Sequence, residues 1–154
     1  VLVGHGLGGM YARLYAAGRP RDVAGLVLVE PAHEDMPSRA RPGMPEVAWT
    51  AWVVERSRPN ADGIVEAGLD SRAREARLPR IPVTVLTATR RRDTEGWNAR
   101  FLNEAAREVH ASILRGVSGG RHVPASGSGP AIPTDRPALV ADEILRVYRA
   151  VTVR

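Results

Sequence analysis

The chain has no cysteine and no lysine. Without cysteine there is no disulfide framework, no thiol nucleophile, no iron–sulfur cluster and no zinc-thiolate site. All 22 basic residues are arginine, and phenylalanine occurs once, a bias that GC-rich codons account for. The net charge of +5 is therefore a matter of composition rather than a binding face, and no nucleic-acid partner is expected. Long apolar runs are also missing. The longest resemble Leu26-Val27-Leu28-Val29, far short of a bilayer span. No basic segment followed by an apolar stretch opens the chain, so a cytoplasmic location is expected. Its start at Val1, inside an apolar run, is expected to lie within a longer chain.

What is present suits one globular domain. At 154 residues and 44% hydrophobic composition, the chain can bury a core. Val1-Leu2-Val3 reads as a buried strand, ended by Gly4-His5-Gly6-Leu7-Gly8-Gly9. Met10, Leu14 and Ala17 then recur at helical spacing until Gly18 and Pro20. Val23–Val29 predicts a second strand, broken by Pro31, and residues 32–45 read as loop. Glu46–Arg56 predicts a helix carrying Val47, Trp49, Trp52 and Val53, and Asp62 is placed to cap another running to Arg77. A third strand is predicted over Val83–Thr87, a helix over Thr94–Val109 and a fourth strand over Ser112–Val117. A loop rich in Gly, Ser and Pro reaches Asp135, and Pro137 opens a final helix.

Strands alternating with helices argue for a parallel sheet with right-handed crossovers, an α/β architecture. Residues 34–78 exceed an ordinary connection and are expected to form a helical cap over the strand ends, where open α/β sheets bind ligands.

The glycine turn supports two readings. Gly4-His5-Gly6-Leu7-Gly8 between strand and helix fits the G-x-S-x-G elbow that presents a nucleophile above a sheet, with glycine at the nucleophile's place. Gly4, Gly6 and Gly9 also fit G-x-G-x-x-G, with Glu30 where a ribose-binding acid would stand. The local pattern leaves both open.

The run Gly4–Tyr15, the strand Asp22–Asp35 and the closing pattern of His122 with Asp135-Arg136-Pro137-Ala138-Leu139-Val140 resemble bacterial α/β-hydrolases of the esterase/lipase-like kind. The resemblance implies the C-terminal half of an α/β-hydrolase fold, a partial domain over residues 1–154. It implies a nucleophile–acid–histidine triad acting on ester-like or related small apolar substrates, with Gly6 in the nucleophile's place and the Leu7 backbone N–H in the oxyanion hole. His122 becomes the expected general base, on a loop after the last strand. Glu30 is the preferred acid, at the end of the second strand, and Asp93 the alternative. Pro124–Pro133 looks like an insertion.

Trp49 and Trp52 are candidates to line an apolar pocket or simply to pack the cap. His5, His33 and His110 match no metal-ligand spacing, and no metal or cofactor is expected. Glycine offers no atom for attack, so covalent acyl transfer at position 6 is excluded. The expected partner is a small-molecule substrate or ligand, and the apolar strand 1–3 is expected to support self-association.

Overall fold

The computed structural model describes residues 1–90 and 98–152. Four strands, β1 (Leu2–His5), β2 (Leu26–Val29), β3 (Val83–Ala88) and β4 (Arg121–Ala125), form one parallel sheet in the order β1-β2-β3-β4. Helices α1 (Leu7–Gly18), α2 (Met36–Ala40), α3 (Glu46–Arg56), α4 (Asp70–Glu75), α5 (Ala99–Ser112), α6 (Ile132–Asp135) and α7 (Pro137–Thr152) complete the described elements, with two short 3₁₀ turns.

Strand alternation divides the core in two. Leu26, Leu28, Val83 and Val85 face α1 and the end of α5 through Ala12, Ala16 and Ile113. Val27, Val29, Leu86, Val123 and Ala125 face Val147 of α7 on the other side. β2 and β3 are covered on both faces, which is why their sequences are continuous apolar runs rather than alternating ones.

Several segments differ from expectation. Residues 112–117 are the end of α5 and a turn, not a strand. Ile113, Leu114 and Val117 supply apolar contacts to the core from that turn, and Gly116 and Gly119, at φ 77° and 74°, reverse the chain into β4. β4 instead contains Pro124, tolerated because an edge strand needs no second row of N–H donors. The stretch Pro124–Pro133 is thus the end of β4, a loop and the start of α6. Within 32–45 the short helix α2 forms where loop was expected. Asp62 caps no helix: its own N–H, with that of Ile64, is held by Asn60 Oδ1, and the helix begins at Asp70. Asn98 caps α5 by accepting the N–H of Phe101 at 2.9 Å. The expected start at Thr94 lies outside the described residues.

Candidate functional site

The turn from β1 into α1 is the floor of the site. Gly6 has φ 55° and ψ −125°, a conformation that side-chain-bearing residues adopt only under strain. Its N–H donates to Val29 O at 3.1 Å, and its carbonyl accepts from Gly9 N at 3.0 Å and Ala32 N at 2.8 Å. The tightness around it is absolute at two positions. A Cβ on Gly4 would lie 2.3 Å from Gly8 O, and one on Gly9 would lie 2.6 Å from Pro31 Cβ. At Gly6 a Cβ would meet nothing within 4 Å, so the turn leaves open space where a side chain would project.

Gly6 opens into a cavity of about 1050 Å³. Glu30 stands in its wall, buried, at φ 43°, with Oε2 accepting the N–H of Ala88 at 2.7 Å. The cap supplies the apolar wall through Met36, Met44 and Trp52, joined by Leu102 of α5. Sequence patterning singled out neither the methionines nor Leu102 as lining, because their contact depends on how the cap folds back. Trp52 lines the cavity, whereas Trp49 supports it from behind: the rings sit edge to face at 5.8 Å, and the Arg41 guanidinium lies over Trp49 at 5.4 Å. Arg56, also in the wall, is held by Glu66 at 2.9 Å and Asp70 at 2.8 Å. Burial disfavours its charge, but these carboxylates outweigh burial and raise its pKa.

His122 is not brought to Gly6. It lies within β4, paired in register with Val85, and alternation turns its ring to the α5 side, into a separate cleft of about 410 Å³. Burial, then the Arg107 charge, lowers its pKa below the ordinary histidine value. The loop that shares the cavity with Gly6 comes after β4 and presents Gly129, Pro130 and Ala131. His5 Nε2 donates to Pro130 O at 2.9 Å and fastens that loop to the elbow. Pro130 escaped sequence reasoning because the strand boundary was set too early. Asp93 lies outside the described residues.

A second polar cluster joins Ser112, His33 and Glu34 beneath the cap. Ser112 Oγ is 3.1 Å from His33 Nε2, and His33 Nδ1 is 3.6 Å from Glu34 Oε2. The backbone N–H of Asp35 donates to His33 Nδ1 at 3.0 Å, so the neutral ring carries its proton on Nε2 and donates to Ser112. That tautomer cannot take a proton from the serine, and Glu34 is already bound by both guanidinium nitrogens of Arg13 at 2.9 and 3.0 Å. The cluster ties α1, the β2 loop and α5 together. Among the described residues no three histidine or carboxylate side chains converge as a metal site, and no helix is long and apolar enough to cross a membrane.

No family model matches the chain, and no curated protein matches it. Solved structures do. Carboxylesterase CesB (YbfK) from Bacillus subtilis superposes with a TM-score of 0.52 over 96% of this chain, at 13% identity. A "probable hydrolytic enzyme" of Pseudomonas aeruginosa PAO1 superposes with a TM-score of 0.53 over 94%, at 16% identity. The chain has the α/β-hydrolase fold. It spans about three fifths of those two structures, 59% and 61% of their lengths. The β1–α1 turn and the cavity above it lie at the carboxyl ends of the parallel strands, the end at which open α/β sheets bind ligands.

Proposed function

We propose that this chain is part of an α/β-hydrolase, ancestrally a serine hydrolase of ester-like or related small apolar substrates, whose site binds a small molecule without forming an acyl-enzyme. The observation that carries this reading is Gly6. It keeps a conformation that strains any side-chain-bearing residue, at φ 55° and ψ −125°, in the floor of a large, largely apolar cavity, while offering no nucleophilic atom. Two further features support it. The N–H groups that open α1, Leu7 among them, suit an oxygen-bearing ligand group. Among the described residues, the loop facing the elbow presents Gly129, Pro130 and Ala131 and no imidazole of its own. Glu30 remains in the place of the acid.

Short-chain p-nitrophenyl esters test the reading. The protein is expected to bind them, shown by saturable chemical-shift changes at Gly6, Trp52 and Leu102, with no burst of p-nitrophenolate. Gly6→Ser alone is expected to give little turnover, since among the described residues the facing loop offers Pro130 where a base would take the hydroxyl proton. Gly6→Ser with Pro130→His should raise turnover by about 10²–10⁴ over the single variant, the usual contribution of a positioned base. A burst from the unaltered chain, or equal turnover by the single and double variants, would overturn the reading.

A further inference from the structure

The three hydrogen bonds that link His122 to the main cavity form one continuous chain with a defined direction. His110 Nε2 is 2.9 Å from Pro31 O, which can only accept, so that nitrogen carries a proton. In the neutral ring Nδ1 is then an acceptor, and it lies 2.7 Å from Thr87 Oγ1, so the threonine hydroxyl donates to it. The same oxygen lies 2.7 Å from His122 Nε2 and must accept there, so His122 also carries its proton on Nε2. The chain runs from the outer cleft, where His122 stands, to Pro31 and His110 in the main cavity wall.

We infer that His122, Thr87 and His110 form a one-proton relay that carries the protonation state of the outer cleft to the wall of the main cavity. A proton arriving at His122 Nδ1, which has no partner among the described residues, makes that ring cationic. Its Nε2 proton then passes to Thr87 Oγ1, and the original hydroxyl proton passes to His110 Nδ1. His122 ends neutral, protonated on Nδ1, and His110 ends cationic with both nitrogens donating. One proton has entered and no bond between heavy atoms has changed. A second proton would leave both rings donating to Thr87 and its hydroxyl without an acceptor, so the pair takes one.

The surroundings favour this direction of transfer. His110 occupies the last turn of α5, where the helix dipole stabilises a cation. His122 faces Arg100, Glu104 and Arg107 of α5, and Glu104 is itself 3.7 Å from Arg107. On the cavity side His110 is accompanied by Glu30 and by neutral His33. The Arg39–Glu108 pair joining α2 to α5 is exposed, and Arg121 and Glu143 lie across the sheet on the α7 side. Asn103 Oδ1, buried in the outer cleft without a hydrogen-bond partner among the described residues, offers an acceptor to a water that delivers the proton.

Ring-nitrogen NMR of the 154-residue chain tests the inference. At pH 8 both His110 and His122 should show the Nε2–H tautomer. On acidification their ring nitrogens should shift with one common midpoint, taking up one proton between them. Thr87→Val should separate the two midpoints, and Thr87→Ser should rejoin them. If Thr87→Val does not fold, His122→Gln should remove the acid-induced shift at His110 over the same interval. A His110 ring protonated on Nδ1 at pH 8, separate midpoints in the unaltered chain, or common behaviour surviving Thr87→Val would overturn the relay. So would a His110 shift unchanged by His122→Gln.

Discussion

Gly4 and Gly8 touch backbone to backbone, with space for only a hydrogen atom between the Gly4 Cα and the Gly8 carbonyl. The elbow is closed by this contact, and a side chain at position 4 would have to move the first turn of α1. Gly4→Ala should therefore cost about 3 kcal/mol or more, since backbone cannot yield as a flexible side chain does. Gly6→Ala meets no atom and should cost only the strain of its positive φ, about 1–3 kcal/mol. Urea unfolding of the two variants measures both, and a Gly6→Ala loss larger than that of Gly4→Ala would contradict the packing described.

The Arg13–Glu34 pair is buried on both sides, with side-chain exposures of 7% and 6%. Removing one partner strands the other charge, so Arg13→Met should destabilise the fold by about 3–5 kcal/mol. Arg13→Met with Glu34→Leu should recover a large part of that loss. Equilibrium unfolding of the single and double variants decides it.

Acid should weaken the fold in two stages. Burial lowers His33, against the pull of Glu34, and burial with Arg107 lowers His122, each below the ordinary 6.5. As pH falls below 6.5 the unfolded chain binds more protons than the folded one, so stability present above that value is progressively lost. Burial tends to raise Glu34 and Glu143, but the hydrogen bonds from Arg13, and from Arg146 and Arg121, outweigh it and hold both below 4.5. Their contribution is complete above 4.5 and lost below it. Thermal unfolding midpoints should fall from pH 7 to 5 and again below pH 4.5, and His122→Gln should shrink the first decline.

Among the described residues β1 is an edge of the sheet, and Val3 within it and Val1 just before it are 48% and 42% exposed. An apolar edge with unpaired N–H and C=O groups pairs readily with another chain. Concentration-dependent association in light scattering is expected, and Val3→Lys should shift the population toward monomer. A monodisperse monomer at high concentration would count against this.

Much of the architecture was legible because it rests on local chemistry. The apolar runs of β2 and β3, the glycine turn and the Pro137 start of α7 each declare themselves within a few residues. The fourth strand was not legible. Ile113, Leu114 and Val117 look like a strand because they are apolar, yet they are buried by a turn, while β4 is a polar, proline-bearing edge. That one displacement moved the expected loop, and with it the place of the histidine. His122 is singled out by residue type and by its place between the expected last strand and the closing helix. The facing of its ring is set by strand register, a tertiary fact that one sequence does not display. Glu30 could be placed beside the glycine turn because the strand before it ends plainly at Val29, and it lines the cavity there.

The all-parallel sheet also sets how this chain must fold. Among the described residues no two strands are joined by a hairpin, so no rung of this sheet forms between near neighbours in the chain. Pairing Leu26 with Val83 encloses the whole cap in a single loop, the most distant of the three strand contacts. Loop closure therefore precedes any return from β2–β3 hydrogen bonding, which places the central rung late and slow in assembly. Until it forms, Leu26–Val29 and Val83–Ala88 are two exposed sticky segments, and the rate of that one closure governs how long they stay so.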